Sequence, residues 1–184
     1  MHKHFFSLFF LLFLLQGCAV NSPAPQASDM YRLAHLLQSQ DSHISIHISS
    51  LESLKLSKDI FSKTQSLSKA FKMTSPPQYH NFLVTIGLRE KGLCYDWSDA
   101  LYAYLTQREY PSFEFHLMGA NIGKYWTEHN SLVVVAKGLA IEEGIIIDPW
   151  RNSGKLYFSK VKEDGNYSWK HRASRGCNLK EDGI

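Results

Sequence analysis

Two runs rich in β-branched residues, NSLVVVAK at 130–137 and GIIID at 144–148, constrain this chain more than any other feature. Val and Ile are crowded in a helix but pack well on a pleated surface. Only residues 138–143 separate the runs, too short a link for a crossover helix, so they predict an antiparallel hairpin. Residues 113–118 alternate apolar and polar like a half-buried strand, 119–124 read as a loop, and 155–161 and 167–170 add shorter strands around an Asp164-Gly165 turn. Upstream the period changes. Residues 30–38 carry Leu33, Leu36 and Leu37 on one side, and 58–72 carry Ile60, Thr64, Leu67 and Phe71 at helical spacing. Ser75-Pro76-Pro77 starts a third helix over 78–88, and a fourth, opened by Cys94, has Trp97, Leu101, Tyr104 and Leu105 as its buried stripe. Helices first and strands later is an α+β order, with the helices on one face of an antiparallel sheet.

The chain's beginning has a different character. Lys3 and two histidines precede an apolar run over 5–15, the pattern of a secretory signal and too short to span a bilayer as a helix. The run stops at Leu15-Gln16-Gly17-Cys18, which resembles the lipobox of bacterial lipoproteins, although Gln16 stands where a small or β-branched residue is usual. This divides the chain into a signal peptide (1–17), a lipidated Cys18 with a Pro/Ser/Ala-rich tether (18–28), and a single domain (29–184). Several acyl chains on Cys18 would hold the protein stably on a bilayer. No aspartate follows Cys18, so the resemblance to Gram-negative lipoproteins implies the outer membrane.

Charge is nearly balanced at +3, or +2 once Lys3 leaves with the signal, and no dense Lys/Arg stripe suggests a nucleic-acid partner. The lysines at 55, 58, 63, 69 and 72 read as a solvated helix face. Of three cysteines, Cys18 is assigned to lipid; Cys177, in a polar tail, reads as a free or intermolecular thiol rather than a partner of Cys94. No CxxC pair or zinc spacing is present, and His43 and His47, at i and i+4, enclose no glutamate. No metal or cofactor is expected.

Cys94, His129 and Asp148 carry the chemistry. A helix N-terminus favours the thiolate form of a cysteine, and Gly92 permits a sharp turn just before it. A neutral histidine can take the thiol proton and later return it to a leaving group. The hairpin would set Asp148, at the end of its strand, beside His129 at the start of the other, where a carboxylate can hold the imidazole N–H. Plainer readings exist: a buried structural cysteine, a sheet-edge histidine, a turn signal at Asp148-Pro149. An acyl-transfer site also needs oxyanion donors, for which the Cys94 backbone N–H and the Asn81 side-chain amide are the candidates, Asn81 otherwise being a polar helix residue. His80 precedes Cys94 on a helix, so His129 is preferred as the base. Glu128, Trp97, Trp126 and Trp150 either line a groove or, for the aromatics, belong to the core.

Gly92-Leu93-Cys94 opening an aromatic-rich helix, His129 before a strand and Asp148-Pro149 after the next resemble the transglutaminase-like branch of the papain-like fold. That branch includes bacterial transglutaminase-like cysteine proteinases. The resemblance covers about residues 78–161 and implies nucleophile, base and orienting carboxylate for Cys94, His129 and Asp148. The adhesin-cleaving members typically carry acidic residues immediately after the cysteine; here Tyr95 follows, so calcium dependence is not implied. The expectation is an exported, lipid-anchored peptidase, amidase or acyl transferase acting on a protein or peptide of the cell envelope. Two alternatives stand beside it. One is a catalytically silent envelope lipoprotein that binds a partner through the same fold. The other is a peptidoglycan hydrolase, disfavoured because that family's nucleophile stands in Asp-Cys-Ser-Gly.

Overall fold

The computed structural model describes residues 26–40 and 47–172, and the described chain is α+β. Four α-helices come first: α1 (Ala27–Gln38), α2 (Ser50–Ala70), α3 (Pro77–Thr85) and α4 (Cys94–Thr106). Five strands follow: β1 (Phe113–Ala120), β2 (His129–Ala136), β3 (Ile145–Asn152), β4 (Lys155–Lys160) and the short β5 (Lys170–His171). They form one antiparallel sheet in the order β4-β3-β2-β1-β5. The signal run, Cys18, His43 and Cys177 lie outside the described residues. His47 precedes α2 and is not helical. Among the described residues no helix is long and apolar enough to cross a membrane.

Differences from the periodicity reading have local causes. Helix α1 starts at Ala27, inside the expected tether, with Asp29 favourably placed in its first turn. Helix α2 starts at Ser50 rather than near 58, because its inward face is written partly in small polar residues. Ser53, Ser57, Thr64 and Ser68 are buried there beside Leu56, Ile60, Phe61 and Leu67. Ser57 donates its hydroxyl to the Met30 carbonyl at 2.7 Å, drawing α1 against α2. Helix α3 ends at Thr85, before the turn at Gly87, rather than continuing to 88.

The sheet differs in three places. β1 runs on to Ala120, and the expected loop begins at Asn121. β3 does not stop at Asp148; it continues to Asn152, with an irregularity in its pairing to β4 between Asp148 and Asn152 that accommodates Pro149, which has no N–H to give the ladder. The last strand is Lys170–His171, paired with Gly119 and Met118, rather than 167–170.

β2 is buried along its entire length, which explains its unbroken apolar run. Leu132, Val134 and Ala136 join Ile145 and Ile147 in the main core with Leu33, Leu37, Leu56, Ile60, Trp97 and Leu101 of the helices. Val133 and Ile146 belong to a second cluster with Met118, Val161 and Trp169. The helices cover one face, as expected, and the segment after β4 covers part of the other. Helix α4 packs on β1, β2 and β3, bringing its N-terminus to the end of the sheet where β2 begins.

Candidate active site

Cys94 is the first residue of α4, with Leu93 as the N-cap. Asp96 reaches back to accept the backbone N–H groups of Gly92 (2.8 Å) and Leu93 (2.9 Å), tying the entry loop to the first turn. The loop is held from beneath as well. Trp97 donates its indole N–H to the Gly92 carbonyl at 3.1 Å, and His80 Nε2 lies 3.0 Å from the Lys91 carbonyl. The Thr74 backbone N–H donates to His80 Nδ1 at 3.2 Å, which assigns the proton to Nε2 and makes that nitrogen the donor to Lys91. Both imidazole nitrogens are thus committed to the backbone. Burial, the largest influence, lowers the pKa of His80. His80 holds the loop, and neither ring nitrogen is left free for a proton from Cys94.

Gly92 is required twice over. Its φ of +127° suits glycine, and a Cβ there would fall 2.2 Å from His80 Nε2. Gly92→Ala is expected to cost at least about 2 kcal/mol in stability, from backbone strain and overpacking together. Urea unfolding measures it; an unchanged midpoint would mean that the loop moves aside freely.

His129 and Asp148 meet as a buried pair, 2% and 1% exposed, with His129 Nε2 2.7 Å from Asp148 Oδ2. The β2–β3 ladder pairs Leu132 with Ile147, so Asp148 lies alongside the first residues of β2. An ionised carboxylate only accepts, so Nε2 carries a proton toward Asp148, and Nδ1 is the nitrogen left to exchange a proton with Cys94. Nδ1 is buried and makes no hydrogen bond of ordinary geometry within the protein, while the Cys94 side chain is close enough to act on the ring. Burial lowers the imidazole pKa, but the contacts with Asp148 and Cys94 outweigh it and push it up to about 9. Trp150 (4.8 Å), Tyr167 (4.6 Å) and Trp169 (5.4 Å), measured between ring centroids, box the imidazole in.

The structure therefore brings together Cys94, His129 and Asp148. Asn81 stands close by in α3, its Oδ1 accepting the Trp150 indole N–H at 3.0 Å. Because the indole can only donate, the Asn81 amide nitrogen faces away from Trp150. Of the aromatics expected to line a groove, Trp97 is instead fully buried core, packed edge-on at 5.0 Å against Phe71, whereas Trp126 is 90% exposed and Trp150 lies against the imidazole.

Several contacts around the triad have no counterpart in the sequence reading. Arg151 donates Nε–H to Asp148 Oδ2 (3.0 Å) and both terminal nitrogens to Asp164 (3.1 and 2.6 Å). Asp164 also accepts the Trp169 indole N–H at 2.9 Å and the Asn166 backbone N–H at 3.1 Å. Burial raises the Asp164 pKa, but Arg151 and these other donors outweigh it and leave it lowered. The Arg151 guanidinium stacks 3.8 Å above the Tyr157 ring. A chain of alternating charge thus backs the imidazole: His129, Asp148, Arg151, Asp164. The only hint in sequence is Arg151 three residues after Asp148; Asp164 reads simply as a turn residue.

No group of three His, Cys, Asp or Glu among the described residues is arranged to hold a metal ion. Comparisons with protein-family models, curated proteins and solved structures find no match for this chain.

Proposed function

We propose that this chain is an exported, lipid-anchored thiol enzyme of the transglutaminase-like branch of the papain-like fold, acting on amide bonds in the cell envelope. One observation carries the reading: the buried His129–Asp148 contact beside a cysteine at the first position of a helix. In the reaction, Cys94 passes its proton to His129 Nδ1 and its sulfur attacks the substrate carbonyl carbon. The S–C bond forms and the carbonyl π pair moves to oxygen, where the Cys94 backbone N–H and the Asn81 amide are the candidate donors. Collapse restores the carbonyl and breaks the C–N bond, and the amine leaves with the proton held by His129. Water or an acceptor amine then resolves the thioester, giving hydrolysis or acyl transfer. Asp148 keeps the imidazole in the competent tautomer throughout. Cys18 as the lipidated residue, and the outer membrane as the location, belong to the same proposal.

A second reading is a silent envelope lipoprotein that binds a protein partner. It draws on Tyr125 and Trp126, exposed in the loop between β1 and β2. One experiment separates the two. The full-length protein in detergent is treated with iodoacetamide from pH 5 to 10, and modification of the Cys94 peptide is followed by mass spectrometry. An activated thiol is expected to label at neutral pH, with the neutral-pH labelling lost in His129→Ala. Labelling that rises only near the free-thiol value of about 8.5 in both proteins would defeat the enzymatic reading. Envelope peptides and muropeptides, scored for cleavage and for amine incorporation, then address the substrate.

A further inference from the structure

We propose that Asn130 is a further catalytic residue, whose side-chain N–H holds the Cys94 sulfur as the charged nucleophile. The proposal rests on the reading of Cys94 as a nucleophile and adds to it the residue that receives the sulfur's charge. Asn130 follows His129 in β2 and is buried, with Nδ2 directed at Cys94 Sγ at 3.8 Å. Its Oδ1 accepts a hydrogen bond from the Arg172 guanidinium. Arg172 donates in turn to Glu128 Oε1 at 2.6 Å, and its backbone N–H donates to the Leu117 carbonyl at 2.9 Å. Glu128 is fixed by the Gly123 backbone N–H, which donates to Oε2 at 2.7 Å.

This clamp decides which way the amide faces. Rotating Asn130 by half a turn would put its NH2 group against the guanidinium, a repulsive contact in place of an attractive one, and its oxygen against the sulfur, a second repulsion once the sulfur is a thiolate. The amide is therefore locked with N–H toward Cys94. A neutral thiol is a weak acceptor and a thiolate a strong one, so this contact favours the charged form selectively. The division of labour with His129 is clear: the imidazole takes the proton, and the amide receives the charge left behind. Asn130 does not titrate, so it acts by moving the pH at which Cys94 becomes reactive. Arg172 and Glu128 are positioning residues that act through it.

The test uses the full-length protein in detergent, iodoacetamide as the probe, the Cys94 peptide as the readout, and a thermal melt of each variant. Asn130→Ala removes the donor and is expected to raise the midpoint of the alkylation profile by about one pH unit, with labelling at pH 7 slowed up to about tenfold. Asn130→Asp, nearly isosteric and still able to bind Arg172, puts an acceptor where the donor was and should raise the midpoint further. Arg172→Met frees the amide to turn and should shift the midpoint in the same direction, and the double variant Arg172→Met/Asn130→Ala should shift no further than Asn130→Ala alone. A merely structural Asn130 would lower the melting temperature and leave the midpoint of the folded protein in place. That result, beside a wild-type profile that still depends on His129, overturns this inference alone; a wild-type profile independent of His129 overturns the proposed function and this inference with it. Should Asn130→Ala fail to fold, a midpoint in Asn130→Asp at or below the wild-type value overturns the inference equally.

Discussion

Asp148→Ala is expected to cost about 3–5 kcal/mol of stability, the range for removing one partner of a buried ion pair. Asp148 is 1% exposed and accepts from the His129 ring and from Arg151 at both its side chain and its backbone. Without it the His129 Nε2–H has no acceptor in a pocket closed by three aromatic rings. Cys94 should suffer as well. The upward push on the imidazole pKa comes first from the Asp148 hydrogen bond, so the ring would become a weaker base. Alkylation of Cys94 at pH 7 should slow by about tenfold or more. Asp148→Asn separates the two effects, since an amide of the same shape fills the space without the charge. It should unfold at higher urea than Asp148→Ala yet label nearly as slowly. If Asp148→Asn labels at the wild-type rate, the carboxylate has no part in activating the thiol.

Asp164→Ala is expected to destabilise the protein by a similar amount, about 3–5 kcal/mol, although its hydrogen bonds go to Arg151, Trp169 and Asn166 and none to Cys94, His129 or Asp148. Arg151, Trp169 and the Asn166 backbone all donate to this one carboxylate. Asp164 and His129 also make stability depend on pH. The folded-state pKa of Asp164 is lowered, so its contribution is present above about 3.8 and is lost as pH falls through the folded value. The folded-state pKa of His129 is raised, so its contribution is complete below 6.5 and is lost as pH rises through about 9. These two groups place the highest melting temperature between roughly pH 4 and 6.5, and His80, whose folded-state pKa is lowered by burial, moves it toward the upper end because its contribution is lost as pH falls below 6.5. On the alkaline side the loss should reach at least about 1 kcal/mol, or roughly 2–4 °C. Thermal melts across pH measure it. In His129→Gln the alkaline loss should shrink, and an alkaline limb of undiminished size there would assign it to other groups.

The parts of this fold that can be read from the sequence are those where packing and local pattern agree. β2 and the first half of β3 stand out because residues buried on both faces leave no polar position to interrupt the run. The start of α2 is hidden because Ser53 and Ser57 occupy inward positions where a periodicity reading looks for leucine. The passage of β3 through Pro149 defies a rule that holds for regular ladders and yields at an irregularity. The site divides in the same way. Cys94, His129 and Asp148 stand at positions with local meaning: a helix start, a strand start, and a residue brought alongside by a short hairpin. Asn130 carries no such mark, since nothing in its neighbours tells that Arg172, 42 residues away, will hold its carbonyl. Arg151 and Asp164 meet across a strand pair and a bend, a contact that pattern cannot supply. The place of His80 in the chain argues against it as a base, and the stronger reason is that its two nitrogens already serve the backbone.

The segment that follows β4 covers part of the second face of the sheet. It also imposes an order on synthesis. A ribosome finishes Cys94, His129 and Asp148 before it reaches Asp164, Trp169 or Arg172. A nascent chain interrupted between residues 148 and 164 carries Cys94, His129 and Asp148 and lacks both the anion that pairs with Arg151 and the cation that turns Asn130. The thiol is thus made early and its surroundings late, and the complete set of contacts around it comes into being only once this last segment is in place.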